Sequence, residues 1–201
     1  ADLKFSGMVH GALKFSEHPR AKVLKIDTAD AEKLEGVLRV FTADDIPGER
    51  YTGLIVPDWP LMVKRGETTR YIGDVIAGVV AETEKTAREA VSLIKVEYEV
   101  LSPVTDPFEA LSANCAQIHE NGNLLSNLEI KRGDSKQAEL ESSYVTKGTY
   151  KTQRIEHAFL EIECCLAKPS ADGVEVFSQS QGVYEDRNSI SKILGLPLEK
   201  V

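Results

Sequence analysis

The chain has 201 residues, 42% hydrophobic and 28% charged, with a formal net charge of -8, a globular composition with room for one large or two small domains. The acidic balance argues against a nucleic-acid or anionic-membrane partner, because either needs a basic patch. No apolar run approaches the ~20 residues of a membrane span, and no basic-then-apolar leader opens the sequence, so a cytoplasmic location is expected.

Met8 to Phe15 reads as a strand, and Ala21 to Asp27 alternates so that Val23 and Leu24 fall on opposite faces. Thr28 is the expected cap of a short helix over Ala29 to Leu34, and Val37 to Phe41 is a further strand. Thr42-Ala43-Asp44-Asp45-Ile46-Pro47-Gly48 is turn chemistry. The single tryptophan, Trp59, lies in a loop where it is expected to cover the edge of its own core. Val75 to Val80 is a continuous apolar run suited to a central strand covered on both faces. Thr83 then caps a helix whose Ala87, Ala90, Val91 and Ile94 form a core stripe. In the next strand Val96, Tyr98 and Val100 alternate with Lys95, Glu97 and Glu99, which predicts one wet face.

Asp106-Pro107-Phe108-Glu109 is a helix start with Asp as cap and Pro at the first helical position. Residues 111–125 then form a polar connector, dividing a first domain, 1–110, from a second, 126–201. His119 in the connector reads as a solvated loop histidine. Beyond it, Leu128 to Lys131 is strand-like, Gly133-Asp134 opens a helix, and Tyr144 to Thr152 is extended. His157 and Glu161 are four apart and would share a helical face as a hydrogen-bonded pair, with no third metal ligand apparent. Glu163 to Lys168 and Val174 to Phe177 form a hairpin turning at Asp172-Gly173. Cys115, Cys164 and Cys165 have no C-x-x-C spacing and read as reduced thiols.

The stretch Phe177-Ser178-Gln179-Ser180-Gln181-Gly182 leads from that strand into a helix over Val183 to Leu194, with Ser180 as N-cap and Gly195 and Pro197 closing it. Strand-to-helix junctions in α/β folds collect functional groups, because side chains there face an open crevice. On local pattern alone Gln181 reads first as a helix-start residue. The helix stripe Ile190, Ile193 and Leu194 is expected to be left uncovered for a partner.

Met8-Val9-His10-Gly11-Ala12, Gly36-Val37, Thr42 to Gly48, Tyr71-Ile72-Gly73-Asp74, Val79 to Thr83, Val96-Glu97-Tyr98-Glu99 and Val104 to Pro107 occur in one order. Together they resemble the α/β hammerhead domain of the xanthine dehydrogenase and aldehyde oxidase family of molybdenum hydroxylases. Gly133-Asp134, Gly148-Thr149-Tyr150 and Glu156 to Glu161 are similar to the beginning of that family's molybdopterin-binding domain. The resemblance implies an α/β (α+β) fold, a hammerhead domain followed by an incomplete molybdopterin-binding domain. It also implies an oxidoreductase that hydroxylates an aromatic heterocycle or an aldehyde with oxygen from water, using molybdopterin-bound molybdenum.

In that family a glutamine amide lies beside the molybdenum centre. Gln179 and Gln181 compete for the role, and the spacing to Leu194-Gly195-Leu196-Pro197 selects Gln181 as the residue with a direct catalytic and cofactor-contacting part. The wording Ser180 to Arg187 is closer to the purine-oxidising branch. The general-base glutamate, most pterin contacts and the iron–sulfur and FAD parts find no match here. The resemblance therefore implies a fragment, inactive alone, whose partners are the remainder of the molybdopterin-binding domain, iron–sulfur and flavin domains or subunits, and a small-molecule substrate. The alternative is a non-catalytic structural or assembly module.

Overall fold

The computed structural model describes residues 3–160 and 162–201. In chain order the elements are β1 (His10–Phe15), β2 (Ala21–Asp27), α1 (Ala29–Glu32), β3 (Val37–Thr42), β4 (Tyr51–Thr52), β5 (Trp59–Pro60), β6 (Val75–Ala81), α2 (Glu84–Leu93) and β7 (Lys95–Val100). They continue with α3 (Pro107–Ala110), α4 (Ser135–Glu141), β8 (Cys165–Pro169), β9 (Val174–Ser178) and α5 (Val183–Leu194). Ladders join β1, β6 and β3 in that order, β2 with β7, β4 with β5, and β8 with β9, all antiparallel.

The apolar run 75–80 is central as its composition requires. Odd and even residues of a strand point to opposite faces, and both faces of β6 are covered. Ala77 and Val79 pack with Ala31, Ala90 and Ile94 on the helix side, while Ile76 packs with Val23 and Val63 on the other. Val23 is buried and Leu24 exposed, as the alternation in β2 demands. Thr83 caps α2 by accepting the Thr86 N–H, and Asp106 caps α3 by accepting from Phe108 and Glu109. At α1 the cap differs from expectation. Thr28 is already helical and makes no capping bond; Asp27 instead accepts the Ala29 N–H at 3.2 Å, leaving the Thr28 hydroxyl to Glu32.

The connector is stitched down. Asn123 donates to the Ala110 and Ala116 carbonyls and accepts the Ile118 N–H. His119 is not a solvated loop histidine: its Nδ1 lies 2.6 Å from Asp58 Oδ2, and its ring lies against Trp59, which also meets Tyr71 and the Arg70 guanidinium. Trp59 is thus half-buried among the side chains of Arg70, Tyr71 and His119.

Past the connector the ladder and the capped helix among the described residues join neighbouring segments. Asp134 caps α4 through the Gln137 N–H, and β8 and β9 pair from Pro169↔Val174 to Cys165↔Ser178. The hairpin closes over four residues, with the Ser170 N–H bonded to the Gly173 carbonyl, and Asp172-Gly173 occupies its second half. Cys115, Cys164 and Cys165 are free thiols. Leu128 to Lys131 and Tyr144 to Thr152 enter no ladder among the described residues. Extended backbone becomes a strand only when a neighbour takes its N–H and C=O groups, and these segments lack one here. Residues 153–160 are not helical; the His157 ring stacks on Phe159, and Glu161, its predicted partner, lies outside the described residues. No helix of the described residues is long and apolar enough to cross a membrane.

Candidate functional site

The β9–α5 junction is built by small polar bonds. Ser178 donates its hydroxyl to Asp186 at 2.8 Å, drawing the end of β9 against the first turn of α5. The Ser180 hydroxyl accepts the Gly182 N–H at 3.0 Å. Ser180 is therefore not the N-cap: that position falls on Gly182, which has no side chain to cap with. Glu185 and Asp186 in the first turn compensate, because carboxylates there face the positive end of the helix dipole.

The two glutamines separate. Gln179 Oε1 accepts the Cys164 N–H at 3.1 Å, tying the end of β9 to the residue before β8. Gln181 is exposed at the bend before α5, and its side chain makes no hydrogen bond among the described residues. Its amide keeps two N–H donors and a carbonyl oxygen available. Among the described residues no group of three His, Cys, Asp or Glu could hold a metal ion. What the junction offers is the exposed amide of Gln181 at the bend before α5.

The other end of α5 holds the larger departure from expectation. Ile190 and Ile193 are half-buried and Leu194 is 36% exposed, because the loop 47–49 of the first domain lies against this end. Gly48 N–H donates to the Ile193 carbonyl and Glu49 N–H to the Lys192 carbonyl, both at 2.9 Å. The loop is anchored in turn by Arg50, which donates to the Met62 carbonyl and makes a two-pronged contact with Glu67. Burial raises the Glu67 pKa, but hydrogen bonds from Arg50 and the Lys64 N–H outweigh it and hold the carboxyl below its ordinary value. Nearby Asp74 goes the other way. Buried, with Oδ1 unpartnered, it is pushed up by desolvation although Arg70 and Tyr71 N–H groups bond its Oδ2. These carboxylates hold loops of the first domain. The Ile46-Pro47-Gly48 phrase was visible as a turn, but its partner near the far end of the chain carries no sequence signal.

Residues 1–102 match the model of the aldehyde oxidase and xanthine dehydrogenase a/b hammerhead domain, and residues 118–201 match that of the molybdopterin cofactor-binding domain. The chain belongs to the aldehyde oxidase and xanthine dehydrogenase family of molybdenum enzymes.

Among similar proteins, a probable xanthine dehydrogenase subunit of Bacillus subtilis is 37% identical over all of this chain and 27% of its own length. The nicotinate dehydrogenase large molybdopterin subunit of Eubacterium barkeri is 30% identical over all of this chain and 47% of its own length. The chain thus spans about a quarter to a half of these relatives. Of solved structures, the aldehyde oxidoreductase of Desulfovibrio desulfuricans superposes with a TM-score of 0.87 at 27% identity, covering 98% of this chain and 23% of that one. The quinoline 2-oxidoreductase of Pseudomonas putida 86 gives 0.83 at 27% identity, covering 99% and 26%.

Proposed function

We propose that this chain serves a molybdenum-dependent hydroxylase, an oxidoreductase that converts a carbon–hydrogen bond of a purine-like heterocycle or an aldehyde and a water molecule into a hydroxylated product, two electrons and two protons. The observation that carries this reading is Gln181: both neighbouring polar side chains at the junction are engaged, whereas its amide is exposed with its hydrogen-bonding groups available. The match of residues 118–201 to a molybdopterin cofactor-binding domain supplies the group for it to meet. When bound, molybdopterin-held molybdenum supplies the two-electron oxidation. Gln181 would hold that group by donating an amide N–H to one of its oxygens, and as a neutral donor it would avoid the desolvation cost that a buried ion would bring. Gln179 has a structural part, holding the hairpin through Cys164.

The name of the Bacillus subtilis relative favours a purine-like substrate. This reading takes as partners the remainder of the molybdopterin-binding domain, iron–sulfur and flavin parts as domains or subunits, and the small-molecule substrate. The test is Gln181→Ala in the complete, cofactor-loaded protein, assayed at equal molybdenum content. Activity falls about tenfold or more, the loss of a hydrogen bond worth ~1.5 kcal/mol in the transition state, while Gln179→Ala loses less activity. Full activity in Gln181→Ala, or a larger loss at Gln179, shows that the role does not belong to Gln181.

A further inference from the structure

We infer that Gly48 is a positioning residue for the junction that carries Gln181: the loop 47–49 of the hammerhead layer grips the C-terminal end of α5 and thereby sets where its N-terminal end lies. The consequence for catalysis rests on the proposed role of Gln181; the grip itself does not.

The grip follows from what else could hold this helix. None of the residues of α5 is buried, so core packing does not fix its axis. Its N-terminal end has no side-chain cap and among the described residues is bonded to its own hairpin, through Ser178 and Asp186. That hairpin meets the segment before β1 through side chains, Phe177 and Lys168 against Phe5, and not through backbone hydrogen bonds.

The C-terminal end is different. The last carbonyls of a helix need partners from outside it. Here Ser191 O takes the Leu196 N–H, Lys192 O takes those of Gly195 and Glu49, and Ile193 O takes that of Gly48. The helix's own closing turn, with Gly195 at φ +63°, satisfies the first two. Only the hammerhead loop reaches the third.

Glycine at 48 is required by space. A β-carbon there would overlap the Lys192 carbonyl oxygen and lie 2.7 Å from Ile193 O and 2.8 Å from Gly195 N. All three are backbone atoms, which cannot swing aside as a flexible side chain would. Beside this contact Tyr51 and Pro57 face Ser189 and Ile193 across a surface groove of about 70 Å³, so the backbone bonds of Gly48 and Glu49 are the direct link. The loop is a fixed point, because the Arg50 carbonyl takes the Leu61 N–H and the Arg50 guanidinium is held by Met62 and Glu67. A helix of 12 residues is a rod about 18 Å long. Displacing its gripped end tilts the rod and shifts Gln181 at the other.

The test uses the complete, cofactor-loaded protein. Gly48→Ala and Glu49→Pro are each made alone and in the Gln181→Ala background. Glu49→Pro removes one N–H donor without adding atoms at Gly48, so it carries the test if Gly48→Ala fails to accumulate. Amide hydrogen exchange is followed across residues 183–194, and steady-state kinetics are measured at equal molybdenum content. Faster exchange is expected in both variants, with kcat lowered about tenfold, the scale of a small misplacement of a reacting group, KM nearly unchanged, and no further loss in the Gln181→Ala background.

Unchanged exchange in both variants overturns the grip. Faster exchange with unchanged kcat, or an added loss on top of Gln181→Ala, overturns the positioning role. Full activity of Gln181→Ala alone refutes the functional reading instead, and the exchange data then still decide whether the loop holds the helix.

Discussion

Residues 10–100 contain every buried apolar side chain among the described residues, whereas each residue from 124 to 160 is exposed. Both regions obey the same local rules: Thr83 and Asp134 cap their helices in the same way, by accepting an N–H three residues on. They differ in where the strands find partners. In the first region the ladders join segments distant in the chain, as in Ala21↔Val100, His10↔Ala81 and Val37↔Ala81, and each closure buries a face. In the second, among the described residues, the β8–β9 hairpin is the one ladder, closed across a short turn, and strand-like segments such as Leu128 to Lys131 have no ladder partner. A capped helix or a β-rich run is therefore not a fold until a ladder gives its apolar face something to cover.

The largest expected effect lies at the centre of the first region. Ile76 is fully buried against Val23 and Val63, so Ile76→Ala removes buried methyl and methylene groups and leaves a cavity, at a cost of about 2–5 kcal/mol. Urea unfolding of the 201-residue chain measures it. A cost below about 1 kcal/mol would erase the contrast between the regions, since the first would then be no better packed than the second.

The first region is also where sequence patterns read true. The apolar run of β6, the alternation in β2 and the stripe of α2 are local records of burial, and each maps onto the observed core; in β7 Val96 and Tyr98 follow it, whereas Val100, at the end of the strand, is exposed. Contacts between distant segments left no such record. Asp58 and His119 are ordinary polar residues in two loops, and only the folded connector brings them to 2.6 Å. The Pro47-Gly48 turn is legible, but that its N–H groups close α5 is not. At the candidate site, Gln181 was singled out by family spacing, and its local geometry distinguishes it from Gln179. Ser180 is not the cap because the helix starts at Val183 as expected, which puts the N-cap position on Gly182, two residues past the serine.

An intermediate effect is expected at the seam between the regions. The hydrogen bond from His119, aided by the charge of Arg70, holds the Asp58 carboxyl below its ordinary pKa. A carboxylate with a depressed folded-state pKa contributes its stabilisation fully above the unfolded value, and loses it as pH falls through the folded value. The pair is about one-third exposed, so His119→Ala costs about 1 kcal/mol or less at neutral pH. The difference between wild type and variant shrinks once the pH drops below the ordinary aspartate range near ~3.9. Urea midpoints of both proteins from neutral to acid pH follow this directly, with thermolysin cleavage within residues 111–125 as a local readout. A difference independent of pH would mean that His119 contributes through its ring against Trp59 and not through Asp58.

The smallest expected effect is in the second region, where it sharpens the contrast most. Leu128 and Ile130 are 84% and 85% exposed and sit in extended backbone without a ladder partner among the described residues. Replacing either by serine removes no buried contact, so unfolding of the 201-residue chain should change by no more than about 0.5 kcal/mol. The same substitutions should lower the tendency of the chain to associate, because they dilute an apolar surface carried on unpaired backbone; light scattering against concentration measures that. In the complete protein of the proposed function these side chains would meet the remainder of the molybdopterin-binding domain, and the serine variants should there cost stability as core substitutions do. A loss above about 1 kcal/mol in the 201-residue chain itself would mean that residues 124–160 already pack on the hammerhead layer in solution. The two regions would then differ in degree of burial and not in whether a ladder has closed.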